Sequence, residues 1–237
     1  MQYFKRYYLV YVLSFALFCG GGLLTVQQFS AIRPVSAVHM APTIVVIDPG
    51  HGGEDGGAVS KTGQKESELN LEISLRLRDL CVLLGIPTRM LRTEDVMLCD
   101  EQAQTISQKK VSDLKRRVAL VNETPGALLV SIHQNSFPQG TQYRGAQVFY
   151  AATNGSQALA ERLQGRIQAS LDSANHRSCK PSDAVYLMEH VQCPAILLEC
   201  GFLTNTDEEI LLRTPGYQKK LVCVLASVLA EHLSAIT

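Results

Sequence analysis

Residues 44–58, IVVIDPGHGGEDGGA, constrain this chain more than any other stretch. Residues 43–47 are apolar and mostly β-branched, and such a run, bounded by proline and glycine, suits a strand buried on both faces. Asp48 and Pro49 end the run. Gly50, Gly52, Gly53, Gly56 and Gly57 then let the backbone take positive φ and pass close to another group. His51 is thereby held at the carboxyl end of a strand, which is where open α/β sheets bind ligands.

The rest of the chain reads as support for that stretch. Leu69, Ile73, Leu77, Leu80 and Leu84 have the three-and-four spacing of a helix packed on a sheet, with Gly85 as a stop, so Glu66 falls in a first helical turn. Residues 86–91 read as a second strand, 92–110 as a long loop of the kind that often covers a site, and 114–121 as a helix. Residues 127–132, ALLVSI, form a strong buried strand that delivers His133 at its end, repeating the placement of His51. A strand follows at 145–151, then a helix capped by Ser156 and running to about 171. A short strand is expected at 185–188. Residues 195–198 make a central strand with Glu199 at its end, Thr206 and Glu209 form a capping box, and 217–233 close the chain as an amphipathic helix. Strands alternate with helices throughout. The expected class is therefore α/β: a single three-layer domain with a mainly parallel sheet flanked by helices.

Lys5 and Arg6 precede an almost uninterrupted apolar run over residues 7–26, a pattern that directs a chain into a membrane with its N-terminus inside. The run approaches the roughly 20 residues that span a bilayer, which favours an uncleaved signal-anchor. Val35-Ser36-Ala37 offers the competing reading, a cleaved signal peptide. Residues 1–29 are assigned to this segment and 30–42 to a linker, leaving 43–237 as the folded domain outside the cytoplasm. Net charge is zero with no basic segment, which argues against a nucleic-acid partner. The seven cysteines include no C-x-x-C pair. Cys81 and Cys223 sit in apolar helical patterns and read as small core residues, and no disulfide is predicted.

Three strand ends thus present His51, His133 and Glu199, and a helix N-terminus presents Glu66. Taken singly, each has a plainer role: a histidine at a strand end is usually a turn or surface residue, and a glutamate in a first helical turn favours the helix dipole. Glu68 competes with Glu66 for any liganding role. Glu199 is harder to explain away, because a carboxylate after Ala-Ile-Leu-Leu is costly to bury unpartnered. Together, two imidazoles and a carboxylate are a usual donor set of catalytic zinc, and a further carboxylate beside them could move a proton during amide hydrolysis.

The blocks VVIDPGHGGEDGGA, KESELNL, LLVSIHQNS and ILLECGFLTN resemble the zinc-dependent N-acetylmuramoyl-L-alanine amidases, specifically the third family of these enzymes, from about Thr43 to the C-terminus. The resemblance implies that His51, Glu66 and His133 bind one Zn2+ and that Glu199 is the catalytic acid/base. It also implies a substrate, the glycan strand of peptidoglycan with its stem peptide, cut between the lactyl group of muramic acid and L-alanine. The germination and spore-cortex branch is the most similar, judged by QKKVSDLKRRVALVNE and CPAILLECGFLTN. Arg92, Asp95, Arg117, Asn122, Gly145, Ala146 and Asn205 also correspond and read as structural or substrate-positioning. RSCK at 177–180 departs from the family's R-G-V-K. The implied partners are peptidoglycan and, through the N-terminal segment, the membrane, with an accessory activating protein left open. Two rivals stand beside the amidase: a zinc peptidase acting within the stem peptide, and a non-catalytic wall-binding module.

Overall fold

A computed structural model describes residues 43–235. The expected membrane segment and linker lie outside the described residues. Among those residues, no helix is long and apolar enough to cross a membrane.

Strand β1 (Ile44–Pro49) leads through the glycine loop to α1 (Glu66–Leu83), β2 (Thr88–Met90), α2 (Ile106–Asn122) and β3 (Ala127–Asn135). The chain continues through β4 (Gln147–Tyr150), α3 (Ser156–Ser170), β5 (Lys180–Pro181), α4 (Tyr186–His190), β6 (Ala195–Phe202), α5 (Thr206–Leu212) and α6 (Pro215–Ser234). The sheet order is β2-β1-β3-β6-β4-β5. All pairings are parallel except β4 with β6.

Helices cover both faces of this sheet, and the period-2 alternation of the strands supplies each cover. Val45, Ile47, Leu128, Val130, Ile132, Ile196 and Leu198 pack with Leu69, Ile73 and Leu77 of α1, Leu159, Leu163 and Ile167 of α3 and Leu221, Leu225 and Leu229 of α6. Val46, Leu129, Ala195 and Leu197 point the other way, to Val121 of α2 and Leu187 and Met188 of α4. Burial on both faces explains why the central strands read as continuous apolar runs.

Several expectations are corrected. Helix α2 begins eight residues before the expected start at 114, opened by a capping box in which Thr105 accepts from Gln108 N and the Gln108 side chain reaches back. The expected long loop is correspondingly shorter. Residues 185–188 belong mostly to a helix rather than a strand, since so short an apolar run fits either state. Gly155, not Ser156, occupies the N-cap of α3, while the Ser156 hydroxyl accepts from Ala195 N. Asn205, not Thr206, caps α5, its side chain accepting from Asp207 N and Glu208 N. Strand β6 runs on past Glu199 to Phe202. Cys81 is buried as expected, but Cys223 is exposed; Cys81, Cys99, Cys179, Cys193, Cys200 and Cys223 are free thiols.

Candidate metal centre and active-site cleft

The turn after β1 is held by Arg92 and Arg117, two of the residues expected to be structural or substrate-positioning. Arg92 donates to the carbonyls of Pro49, Gly50, Ser67 and Glu94. Arg117 donates to the carbonyls of Pro49 at 2.9 Å and His51 at 2.7 Å, and pairs with the carboxylates of Asp48 and Asp113. So fixed, His51 adopts φ +59, the one positive φ of a non-glycine among the described residues, a conformation that L side chains rarely take.

The glycines on either side make room for the other groups. A Cβ on Gly50 would lie 2.2 Å from Cε1 and Nε2 of His133, and one on Gly57 would lie 2.6 Å from Glu66 Oε2. Glu66 opens α1, and its backbone N–H bonds to Ala58 O. Its Oε2 accepts from Ala58 N at 2.9 Å and its Oε1 from Gln134 N at 3.1 Å. On β3 and β6, His133 and Glu199 are register partners.

These elements bring together His51, Glu66 and His133, each offering one ligand atom, all within 4.8 Å of one another. Glu66 Oε1 lies 2.9 Å from His133 Nδ1 and 3.4 Å from His51 Nε2. The histidine rings meet edge to face at 5.0 Å. Burial would lower the pKa of His51, but its hydrogen bonds to Asp55 and Glu66 outweigh burial and push it up to about 9. Burial would raise Glu66, but the bonds from His133 and His51 hold it well below the usual carboxylate range. Such a cluster accepts a cation in exchange for protons, and two imidazoles with a carboxylate suit catalytic zinc.

Glu199 lies beside this cluster and lines the same cleft, of about 440 Å³. Burial pushes its pKa up to about 7, opposed by the charge of His133 and reinforced by that of Glu66. Its Oε2 is buried without a hydrogen-bond partner. The cleft floor also includes Asp48 and Leu197, and its walls are Lys110, Leu114 and Arg117 of α2 facing Val185, Tyr186 and Leu187.

The structure keeps other candidates apart from the cluster. Glu68 is exposed and accepts from Gln64 Nε2. His176 is exposed, and His190 stacks on Tyr186 at 3.9 Å. Asp95 accepts from Gly53 N, and Asn122 ties α2 to the loop after α4 through His190 O and Gln192 N. Gly145 donates to Glu208 and Asn205 is a helix cap, so both are structural. Ala146 is buried beside β4, its carbonyl accepting from Gln164 and Asn175. Arg177 lies 4.6 Å over the Phe202 ring and donates to Gln147 and Arg144 O.

One residue of the site was missed. Asp55 Oδ2 lies 2.9 Å from His51 Nδ1, and Asp55 Oδ1 pairs with Lys110 of α2. The available signal was a carboxylate four residues after a histidine, with no period to single it out from Glu54.

The family model for N-acetylmuramoyl-L-alanine amidases matches residues 45–230. A germination-specific N-acetylmuramoyl-L-alanine amidase of Bacillus subtilis is 38% identical over 181 residues, 75% of this chain and 74% of the relative. The CwlD amidase of Clostridioides difficile, solved in complex with the GerS lipoprotein, is 34% identical with a TM-score of 0.78, covering 81% of this chain and 99% of that one. A second N-acetylmuramoyl-L-alanine amidase, from Clostridium difficile 630, is 31% identical with a TM-score of 0.71, covering 81% and 97%. A match this long means that the chain belongs to the N-acetylmuramoyl-L-alanine amidase family and is a peptidoglycan amidase.

Proposed function

We propose that this enzyme hydrolyses the amide between the lactyl group of muramic acid and L-alanine of the stem peptide, with zinc held by His51, Glu66 and His133 and with Glu199 as the acid/base. The observation that carries this reading is the convergence of three ligand atoms within 4.8 Å beside a carboxylate whose Oε2 is buried and unpartnered. Zinc in such a site supplies Lewis acidity, polarising a carbonyl and making water acidic enough to attack at neutral pH.

Glu199 then does the proton work. Its carboxylate takes a proton from the water that attacks the lactyl carbon and passes it to the alanine nitrogen as the C–N bond breaks. A pKa near 7 suits both halves of that exchange. The Arg92 and Arg117 bonds to the Gly50–His51 turn keep the ligand in place without entering the chemistry.

The spore cortex is the proposed setting, from the resemblance to a germination-specific relative. The domain would act outside the cytoplasm, held at the membrane by residues 1–29. An accessory protein is a further proposed partner, since the similar CwlD amidase is found in complex with a lipoprotein.

Mass spectrometry of peptidoglycan fragments, after digestion with and without added zinc, tests the reaction. Intact stem peptides with free L-alanine amino groups, released only with zinc, are expected. Shortened peptides would indicate a peptidase instead. In Glu199→Gln, zinc content should be kept while turnover falls by about 10²–10⁴-fold; a variant that retains most activity removes Glu199 from this role.

A further inference from the structure

We propose that Asp55 is the positioning residue of the metal centre, fixing the ring tilt and tautomer of His51 so that Nε2 presents its lone pair toward Glu66 and His133. The proposal rests on the reading of these three residues as the ligand set.

Both histidine rings pack on a glycine of the loop, but the carboxylate at Nδ1 is a member of the cluster for His133 and lies outside it for His51. The His133 ring packs against the backbone of Gly50, so closely that a Cβ there would collide with it. Its Nδ1 lies 2.9 Å from Glu66 Oε1. His51 stands in a glycine loop, its side chain 27% exposed, on a left-handed backbone. Its Cδ2 edge packs on the loop, where a Cβ on Gly57 would lie 2.8 Å away, and the hydrogen bond at Nδ1 fixes the opposite edge and the tautomer, which packing does not select.

Asp55 is built to accept that bond. Gly52 and Asp55 exchange backbone hydrogen bonds, Gly52 N to Asp55 O at 2.8 Å and Asp55 N to Gly52 O at 3.0 Å, which closes the loop. Its side chain is 15% exposed, with Oδ2 at 2.9 Å from His51 Nδ1 and Oδ1 at 2.8 Å from Lys110 Nζ. The neighbouring pair Lys109 and Glu54 anchors the same loop to α2. Both Asp55 oxygens thus have a partner that leaves them no part in the ligand set itself. An ionised carboxylate only accepts hydrogen bonds, so His51 Nδ1 must carry the hydrogen and, in the neutral ring, Nε2 must carry the lone pair. Outer carboxylates of this kind are worth about 10–100-fold in metal affinity.

Zinc affinity of the purified full-length chain, measured by competition with a chromogenic chelator, tests the assignment in the unaltered protein, Asp55→Asn and Asp55→Ala. Both variants should bind zinc about 10–100-fold more weakly, Asn less impaired than Ala because its amide oxygen still accepts from Nδ1. NMR of the zinc-loaded unaltered protein should show a strongly hydrogen-bonded proton on His51 Nδ1, shifted in Asp55→Asn; a merely structural role would not move this signal. Unchanged affinity in the variants, or an Nδ1 without hydrogen in the unaltered protein, overturns the proposal and leaves the proposed reaction standing. Failure of the unaltered protein to bind zinc overturns the ligand set and the role of Asp55 together.

Discussion

Replacing Arg117 with Met should cost about 3–5 kcal/mol, the range for removing one partner of a buried ion pair. Arg117 and Asp48 are 2% and 1% exposed, and Met fills much of the same space without satisfying the charge. Asp48 would keep only the Ser131 hydroxyl, at 2.7 Å, as a hydrogen-bond partner, and the carbonyls of Pro49 and His51 would lose a donor. Urea unfolding of the metal-free protein at pH 7 reads this directly. For a slope of about 2 kcal/mol/M, the midpoint should fall by about 1.5–2.5 M. Acid should shrink the difference. Burial pushes the pKa of Asp48 up, but Arg117 and Ser131 hold it below the ordinary 3.8. Its contribution is therefore complete above that value and is lost only as pH falls through the lower folded pKa. In the variant, burial prevails and the folded pKa rises above the unfolded one, so the variant recovers stability as pH falls from 7 toward 4. A loss below 1 kcal/mol at pH 7, or a loss that does not change over that range, would refute this account of the ion pair.

Two further substitutions probe the site and its frame. Gly50→Ala would place a Cβ 2.2 Å from the His133 ring, so the ring must leave its position and zinc content after equilibrium dialysis should drop sharply; a fully loaded variant would show that the ring has room to yield. Asn205→Ala removes the side chain that accepts from Asp207 N and Glu208 N, which should lower stability by about 1 kcal/mol. An unchanged urea midpoint would mean that the cap contributes nothing measurable at the start of α5.

Much of the frame was legible because burial on both faces writes itself into composition. Residues 44–47 and 195–198 are apolar without interruption and 127–132 are broken only by Ser131, and all three lie in central strands. His133 and Glu199 directly follow their runs, and His51 follows the first run after Asp48, Pro49 and Gly50; these strand ends, with Glu66 in a first helical turn, are what made the four residues candidates. Their joint role came from the resemblance, since no local spacing distinguishes four residues on four elements. Partners set by tertiary structure were not legible. Arg117 lies 69 residues from Asp48 in sequence, and nothing in either neighbourhood announces the other.

Helix α2 was read only in part, and the reason bears on function. Its second half carries Leu114, Val118 and Val121, but its first turns read Ile-Ser-Gln-Lys-Lys, without an apolar stripe. A stripe is absent because those turns do not lie on the sheet. They project along the glycine loop, where Lys109 meets Glu54 and Lys110 meets Asp55. One turn further on, Asp113 accepts from Leu98 N and pairs with Arg117, which binds the carbonyl of His51. The polarity that hides the start of the helix from a periodic reading is thus what lets it grip the glycine loop from two sides, at the backbone of His51 and at the carboxylate behind its ring. A segment that resists assignment by hydrophobic period, next to a loop rich in glycine, is accordingly a place to look for the groups that hold such a loop in place.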